Sequence, residues 1–269
     1  MEEVIFYIIA FIIGTFFGSF MSLAVYRIPL HQDITHERSY CPKCKHKLTF
    51  FDMIPVLSYI FLGGKCRYCK EKIRIRYLLL EILTGIIFLL FAMSLNISFV
   101  TLEISQIIKL GFIYLYLIGI IIIAGIDKER RTIQKSVLLY EIAVEVMYMV
   151  YLCILQKANI YRYAMYLLVI CFLLIFDNIY FKRKLKNNYT IEILELSIII
   201  TIFCREKIYI ATAILTLLSI AINYIEKKVI NHKNKTSKEN ISYYKNLPIG
   251  FYLVCCNIVS FIVISFASM

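Results

Sequence analysis

The sequence lacks the features of a secreted or nucleotide-binding soluble protein. It begins Met1-Glu2-Glu3, so no basic segment precedes the first apolar run, which is itself too long for a signal peptide. No glycine-rich nucleotide-binding motif is present. Acidic residues are few, 18 against 30 basic ones, which gives a net charge of +12. We therefore expect the first apolar segment to be retained as a membrane span.

Apolar residues dominate the composition. They make up 61% of the 269 residues, and the mean hydropathy is +0.76. Because several uninterrupted apolar runs approach the roughly 20 residues that a span needs, we predict an all-α polytopic membrane protein. Its eight predicted spans are 4–26, 77–97, 106–126, 137–156, 161–180, 191–204, 207–225 and 248–268. The sixth is short for a full span, which suggests a half-span or a helix sheltered by its neighbours.

Basic residues are concentrated in alternate loops. All but five of the 30 lie at 27–76, 128–135, 182–186 and 227–245. Since positive residues favour the cytoplasmic side, we expect these loops in the cytoplasm and both termini outside. Basic residues beside spans usually orient the chain and contact anionic lipid. We find no pattern for binding nucleic acid and no internal repeat.

The first basic loop contains two Cys-x-x-Cys pairs, Cys41 with Cys44 and Cys66 with Cys69. Four thiolates at this spacing are the ligands of a closed structural zinc site. Two disulfides are the alternative, but a reducing cytoplasmic location favours zinc. His46 is near enough to replace a ligand, although four cysteines already complete the site. We predict a small cytoplasmic zinc-knuckle loop at 30–76.

Two acidic residues lie at predicted span ends. Asp127 ends the third span, and Glu192 opens the sixth. Each has an ordinary interpretation, the first as an interfacial carboxylate and the second as a first-turn glutamate favoured by the helix dipole. The charge pattern, however, places both at the cytoplasmic ends of their helices. Two carboxyls held together there can share a proton and act as general base and general acid.

The amino-terminal third carries a series of motifs within residues 14–85. They are Gly18-Ser19-Phe20, Tyr26-Arg27-Ile28-Pro29, Arg38-Ser39-Tyr40-Cys41-Pro42-Lys43-Cys44, Asp52-Met53-Ile54-Pro55-Val56-Leu57-Ser58, Gly64-Lys65-Cys66-Arg67-Tyr68-Cys69 and Arg76-Tyr77 with Glu81. Through these motifs the chain resembles the type IV prepilin peptidases. Asp127, with Ile133 six residues later, resembles the segment of the family's first catalytic aspartate. Leu247-Pro248-Ile249-Gly250 resembles its late Pro-Phe-Gly segment.

The resemblance implies a membrane aspartyl endopeptidase that removes the leader peptide of type IV prepilins. Its expected catalytic pair is Asp127 and Glu192, which falls where the family's Gly-x-Gly-Asp motif has its aspartate. Glu195 and Asp177 are alternative partners for Asp127. The substrate would be a type IV prepilin, and the expected location is the cell membrane, with the active site facing the cytoplasm. In this interpretation residues 1–29 are the first transmembrane helix, 30–76 the zinc loop and 77–269 the protease domain.

Zinc-bearing members of the family are often bifunctional. The resemblance therefore extends to an N-methyltransferase that uses S-adenosylmethionine, with Glu81, Arg76 and Arg27 as polar anchors for the methyl donor. Two other classes of function stay open. One is a non-catalytic relative that binds prepilin after losing its protease centre. The other is a carrier with Asp127, Glu141, Glu145 and Glu192 as proton sites, for which no inverted repeat is found.

Overall fold

The computed structural model describes residues 2–36, 38–95, 103–155, 189–204, 206–234 and 247–267, with scattered positions from 161 to 175. Its helices are α1 (Glu2–Arg27), α2 (Leu57–Phe61), α3 (Ile75–Ser94), α4 (Ile104–Arg130), α5 (Lys135–Ile154), α6 (Tyr189–Phe203), α7 (Glu206–Asn234) and α8 (Ile249–Ala267). Two short 3-10 helices, Ile28–Leu30 and Phe50–Met53, lie between α1 and α2. The chain forms two compact units, Met1–Ile118 and Gly119–Met269, and α4 contributes to both.

Six helices of the described chain are long and apolar enough to cross a membrane: α1, α3, α4, α5, α7 and α8. The predicted all-helical, multi-pass membrane class is confirmed, and these helices match six of the eight predicted spans to within a few residues. The sixth predicted span is the 15-residue α6. At 1.5 Å per residue it is about 22 Å long, short of a bilayer core of about 30 Å. The fifth, 161–180, falls mostly outside the described residues.

In the first unit α1 and α3 pack at backbone contact through glycines. A Cβ added to Gly14 would lie 2.8 Å from the Cα of Gly85, and one added to Gly18 would overlap the hydroxyl of Thr84. Small residues four apart allow membrane helices this close an approach. The tight pair fixes both ends of the loop that carries the four cysteines.

In the second unit the helices meet through buried polar and aromatic contacts. Asn257 of α8 is fully buried and donates from Nδ2 to the Thr212 hydroxyl of α7 across 3.4 Å. Tyr148 of α5 packs on Phe203 of α6 with ring centroids 5.2 Å apart. Hydrogen bonds between buried polar side chains stabilise helix pairs in membranes. Within this arrangement the first residues of α6 and α8 meet the end of α4.

Candidate metal centre and carboxyl site

The four predicted zinc ligands lie together. The sulfur atoms of Cys41, Cys44, Cys66 and Cys69 are all within 4.8 Å of one another, and all four thiols are free of disulfides. Sγ of Cys41 and Sγ of Cys69, one from each pair, are 3.8 Å apart. Zn–S bonds of about 2.3 Å place tetrahedral sulfurs roughly 3.8 Å from each other. The cluster can therefore hold a metal ion, and its geometry and donor set fit zinc.

The two cysteine pairs lie in knuckles of the same backbone design. In the first, the N–H of Lys45 donates to the carbonyl of Cys41, and an antiparallel bridge joins Tyr40 to Lys47. The second repeats this pattern with Lys70 donating to Cys66 and a bridge from Lys65 to Lys72. Both lysines that follow the second cysteine have φ of 59°. The structure thus reveals a short internal repeat, Cys-x-x-Cys-Lys-x-Lys, which our sequence analysis missed.

Backbone N–H groups in the first knuckle prepare Cys41 to bind a cation. Burial raises the pKa of its thiol, but the N–H groups of Cys44 and Lys43 outweigh burial and lower the pKa to about 7. The thiolate is the form that ligates metal. Across the centre, Lys43 of one knuckle pairs with Glu71 of the other at 3.5 Å.

Arg27 and Glu81 hold the loop on the two helices that carry it. The guanidinium of Arg27 is buried and donates from Nη1 to the carbonyl of Asp33 across 2.7 Å. The carboxylate of Glu81 accepts the N–H of Val56 across 2.8 Å. Both groups contact the loop itself, and their role as polar anchors for a methyl donor stays a prediction.

Asp127, the first predicted catalytic residue, is fully buried near the end of α4. Its Oδ1 accepts the hydroxyl hydrogen of Tyr189 across 2.8 Å, and its Oδ2 accepts the N–H of Phe251 across 2.9 Å. The two donors come from the starts of α6 and α8. Because each oxygen has its own donor, the carboxyl is held in one orientation.

Tyr189 is the site residue that our sequence analysis missed. Its hydroxyl also accepts the N–H of Ile249 across 2.8 Å and lies 3.3 Å from the carbonyl of Leu247. A single side chain therefore joins α6, the Leu247–Gly250 segment and Asp127. The one available signal was weak: a tyrosine opening α6, three residues before Glu192 and so on the same helix face.

Gly250 leaves room for the carboxyl of Asp127. A Cβ at this position would lie 3.1 Å from Oδ2 of Asp127 and 3.5 Å from Cδ1 of Ile133. The first is tighter than an ordinary van der Waals contact, and it is with the oxygen that accepts the N–H of Phe251. This packing explains why the Leu247-Pro248-Ile249-Gly250 segment carries a glycine where it passes α4.

Glu192, the second predicted catalytic residue, is buried in the first turn of α6. Its Oε2 lies 3.4 Å from the N–H of Ile133, whose side chain packs near Gly250. Tyr189 binds Asp127 and lies one turn before Glu192 on α6. Ile133 lies beside Glu192 and also near Gly250, which packs against Asp127. The two carboxyls are therefore connected through Tyr189 and Ile133. Glu195, three residues further along α6, is also buried. Asp177 lies outside the described residues.

Two further buried acids lie in α5. Glu141 and Glu145 are one helical turn apart, and each is almost completely buried. The carboxyl of Glu141 occupies the space beside Gly119 of α4, where any side chain would collide with it.

Comparison with known proteins identifies the segment that contains the cysteines. Residues 12–95 match the model of the bacterial peptidase A24 N-terminal domain. Over this segment the chain is similar to proteins named prepilin leader peptidase/N-methyltransferase. It is 42% identical over 84 residues to the prepilin leader peptidase/N-methyltransferase of Myxococcus xanthus, a match that covers 31% of this chain and 25% of the relative.

Two further proteins with the same name are similar to this chain. The protein of Vibrio cholerae is 39% identical over 88 residues, covering 30% of this chain and 35% of that protein. The protein of Bacillus subtilis is 44% identical over 80 residues, covering 30% of this chain and 32% of that protein. The matched part thus spans about a third or less of these prepilin peptidases. No solved structure matches the chain.

Proposed function

We propose that this protein is a membrane-embedded aspartyl endopeptidase that removes the leader peptide of type IV prepilins on the cytoplasmic side of the cell membrane. The observation that carries the proposal is the buried carboxyl of Asp127, oriented by donors from α6 and α8, with Glu192 opening the helix that provides Tyr189. Buried acids in a membrane protein are costly and usually functional. The names of the relatives support the substrate class.

In the proposed reaction a water molecule attacks the carbonyl carbon of the scissile peptide bond. One carboxyl of the Asp127–Glu192 pair is ionised and takes a proton from the water. The other is neutral and donates its proton to the carbonyl oxygen, which gives a gem-diol. Transfer of a proton to the amide nitrogen then breaks the C–N bond and releases the leader and the new amino terminus. Tyr189 positions Asp127 throughout.

In this proposal the zinc ion is structural. Cys41, Cys44, Cys66 and Cys69 would bind it completely, which leaves no ligand position for water or substrate. Bound zinc would supply the folding energy of a loop that has few apolar residues inside it. The loop would face the cytoplasm with the other basic loops.

An N-methyltransferase activity that uses S-adenosylmethionine is a second proposal, supported by the name that the three similar proteins share. Arg27 and Glu81, which the resemblance implies as anchors of the methyl donor, also hold the zinc loop on its helices.

Leader cleavage in proteoliposomes tests the proposed protease. Purified protein is incubated with a prepilin of the same organism, and the Asp127→Asn variant is compared with the wild type. We expect cleavage to be abolished while expression and metal content stay unchanged, because an amide cannot exchange the catalytic proton. Glu129→Gln, an exposed acid two residues further along α4, is the matched control and should cleave normally.

A prepilin-binding protein without protease activity is the alternative, favoured by the glutamate at the position of the family's second aspartate. Wild-type protein that binds prepilin in the same assay without cutting it would support this alternative and overturn the protease. Equal cleavage by wild type and Asp127→Asn would remove Asp127 from the active site.

A further inference from the structure

In the segment Phe50–Phe61 of the zinc loop, an acidic side chain is buried and large apolar side chains are exposed. A loop that faces water is expected to show the opposite. The segment comprises the second 3-10 helix, a turn and α2. Asp52 is buried, whereas Phe50, Phe51 and Phe61 expose 67%, 70% and 82% of their surface. Leu57 and Ile60 are exposed as well. Several large exposed apolar side chains within one short segment mark a site of contact with a membrane or a partner.

Hydrogen bonds to the buried Asp52 hold the segment in the conformation that exposes its phenylalanines. Thr49 donates from its hydroxyl to Oδ2 of Asp52 across 2.7 Å, and Arg67 donates to Oδ1 across 2.6 Å. Val56 starts α2 with φ of 62°, an uncommon conformation for a β-branched residue. The phenylalanines therefore point outward from an ordered base, and their exposure is part of the folded loop.

One hydrogen bond sets the position of the segment along a membrane span. The N–H of Val56 donates to Oε2 of Glu81 across 2.8 Å. Glu81 is six residues into α3, whose candidate span begins at Ile75, so at 1.5 Å per residue it lies about 9 Å along the helix. The segment thus packs beside the second turn of a span. Amphipathic segments beside a span can insert their apolar side chains into the headgroup–acyl boundary of the membrane.

The charge around the segment matches an anionic lipid surface. The two knuckles next to it carry exposed basic side chains, and few acids accompany them. The exposed basic residues are Lys43, Lys45, Lys47, Lys65, Arg67, Lys70 and Lys72. Basic clusters close to a span attract anionic phospholipid headgroups.

We propose that Phe50–Phe61 is an interfacial membrane anchor, which inserts its phenylalanines into the headgroup–acyl boundary of an anionic phospholipid leaflet. The contact of Val56 with Glu81 places the segment beside a candidate membrane span. This position and the basic knuckles favour lipid over a peptide or a second copy of the chain. The anchor holds the zinc centre at the membrane surface. This inference is independent of the proposed protease activity.

Tryptophan fluorescence tests the anchor. The chain contains no tryptophan, so all tryptophan emission comes from the introduced residue. Phe51→Trp and Phe61→Trp are made singly in the full chain, with Tyr68→Trp as the control. Tyr68 lies in the second knuckle, where its ring contacts the ring of His46 with centroids 3.5 Å apart. Each variant is reconstituted in vesicles of phosphatidylglycerol and phosphatidylcholine with brominated acyl chains. We expect blue-shifted emission and a loss of intensity at 51 and 61, with neither at 68.

The other outcomes overturn the proposal in distinguishable ways. Emission at the solvent wavelength, quenched by aqueous iodide, would show that the segment faces water. Blue-shifted emission that bromine does not quench would show a protein partner or a second copy on this face. Equal bromine quenching at all three positions would show that the whole loop lies on the membrane. Quenching at 51 and 61 that is as strong in vesicles of brominated phosphatidylcholine alone as in vesicles that also contain phosphatidylglycerol would refute the role of anionic headgroups. Metal content measured on each variant confirms that the loop is folded.

Discussion

The hydroxyl of Tyr189 lies 2.8 Å from Oδ1 of Asp127, although 62 residues separate them in the sequence. The same hydroxyl accepts the N–H of Ile249. Tyr189 therefore orients the carboxyl of Asp127 and connects it to the start of α8. Three residues later on α6 comes Glu192, the proposed partner of Asp127 in catalysis.

Tyr189→Phe should slow leader cleavage without changing substrate binding. The substitution removes a donor to a carboxyl, an interaction worth about 2 kcal/mol, so we expect kcat to fall roughly thirtyfold. KM should stay near that of the wild type, because Tyr189 is proposed to position Asp127 and not to contact the leader. Steady-state kinetics in proteoliposomes measure both constants. Tyr161→Phe, which changes an exposed tyrosine, is the control. A higher KM with unchanged kcat would contradict the positioning role.

Two glycines offer a matched comparison of the space beside Asp127. A Cβ on Gly250 would press on Oδ2 of Asp127 at 3.1 Å, whereas one on Gly111 of α4 meets nothing within 4 Å. Gly250→Ala should therefore displace the carboxyl and reduce cleavage at least about tenfold, since catalytic groups tolerate shifts of only about 0.5 Å. Gly111→Ala should leave activity unchanged and stabilise α4 by up to about 1 kcal/mol. Equal activity of the two variants would show that the site has room to adapt.

The features that could be predicted from the sequence are those that depend on residues close together in it. Apolar runs gave the spans because hydrocarbon thickness fixes their length, and cysteine spacing gave the metal cluster because each pair lies in one turn. Tyr189 has no such signal, since its partners Asp127 and Ile249 are distant in sequence and meet it only after the helices pack. The knuckle repeat was missed because only its cysteines and lysines recur. The other similarities between the two knuckles lie in their backbone geometry, such as the φ of 59° at Lys45 and Lys70.

Loss of two zinc ligands should unfold the knuckles. Purified wild-type protein should contain about one zinc per chain, and Cys41→Ser with Cys66→Ser should lose the metal and the structure of residues 38–75, because zinc supplies most of the folding energy of such a loop. Elemental analysis and limited proteolysis of the loop measure the two effects. The control is Cys153→Ser with Cys171→Ser, two cysteines outside the cluster. Metal-free protein with disulfides among the four cysteines would contradict both the zinc and the cytoplasmic location.

Asp52 should make the stability of the zinc loop depend on pH. Burial raises the pKa of its carboxyl, but hydrogen bonds from Thr49 and Arg67 outweigh burial and hold the pKa below its usual range. The stabilisation is therefore complete above the unfolded pKa of about 4 and is lost as the pH falls through the lower folded value. At neutral pH we expect Asp52→Asn to destabilise the loop by about 2 kcal/mol.

Melting of wild type and Asp52→Asn at several pH values checks this prediction. The difference between their midpoints should shrink in acid, and comparing the two proteins at each pH cancels the common effect of acid on zinc. Glu71→Gln breaks the exposed pair with Lys43 and should change stability by less than about 1 kcal/mol at any pH. A midpoint difference that is constant with pH would show that the Asp52 carboxylate is not the stabilising form.

Variants of Glu192 separate a working protease from a relative that has lost its catalytic pair. Glu192→Gln should abolish leader cleavage, because the amide can neither accept nor donate the catalytic proton. Glu192→Asp with Thr190→Gly, which restores part of the family motif, should retain or raise activity, since the added backbone freedom at 190 compensates for the shorter side chain. Glu195→Gln and Asp177→Asn are the controls and should cleave nearly as the wild type does.

Cleavage by Glu192→Gln but not by one of those controls would keep the aspartyl protease reaction and transfer the partner's role to that residue. Loss of cleavage in the restored variant, with metal content and folding intact, would show that Glu192 does not occupy the position of the family's second aspartate.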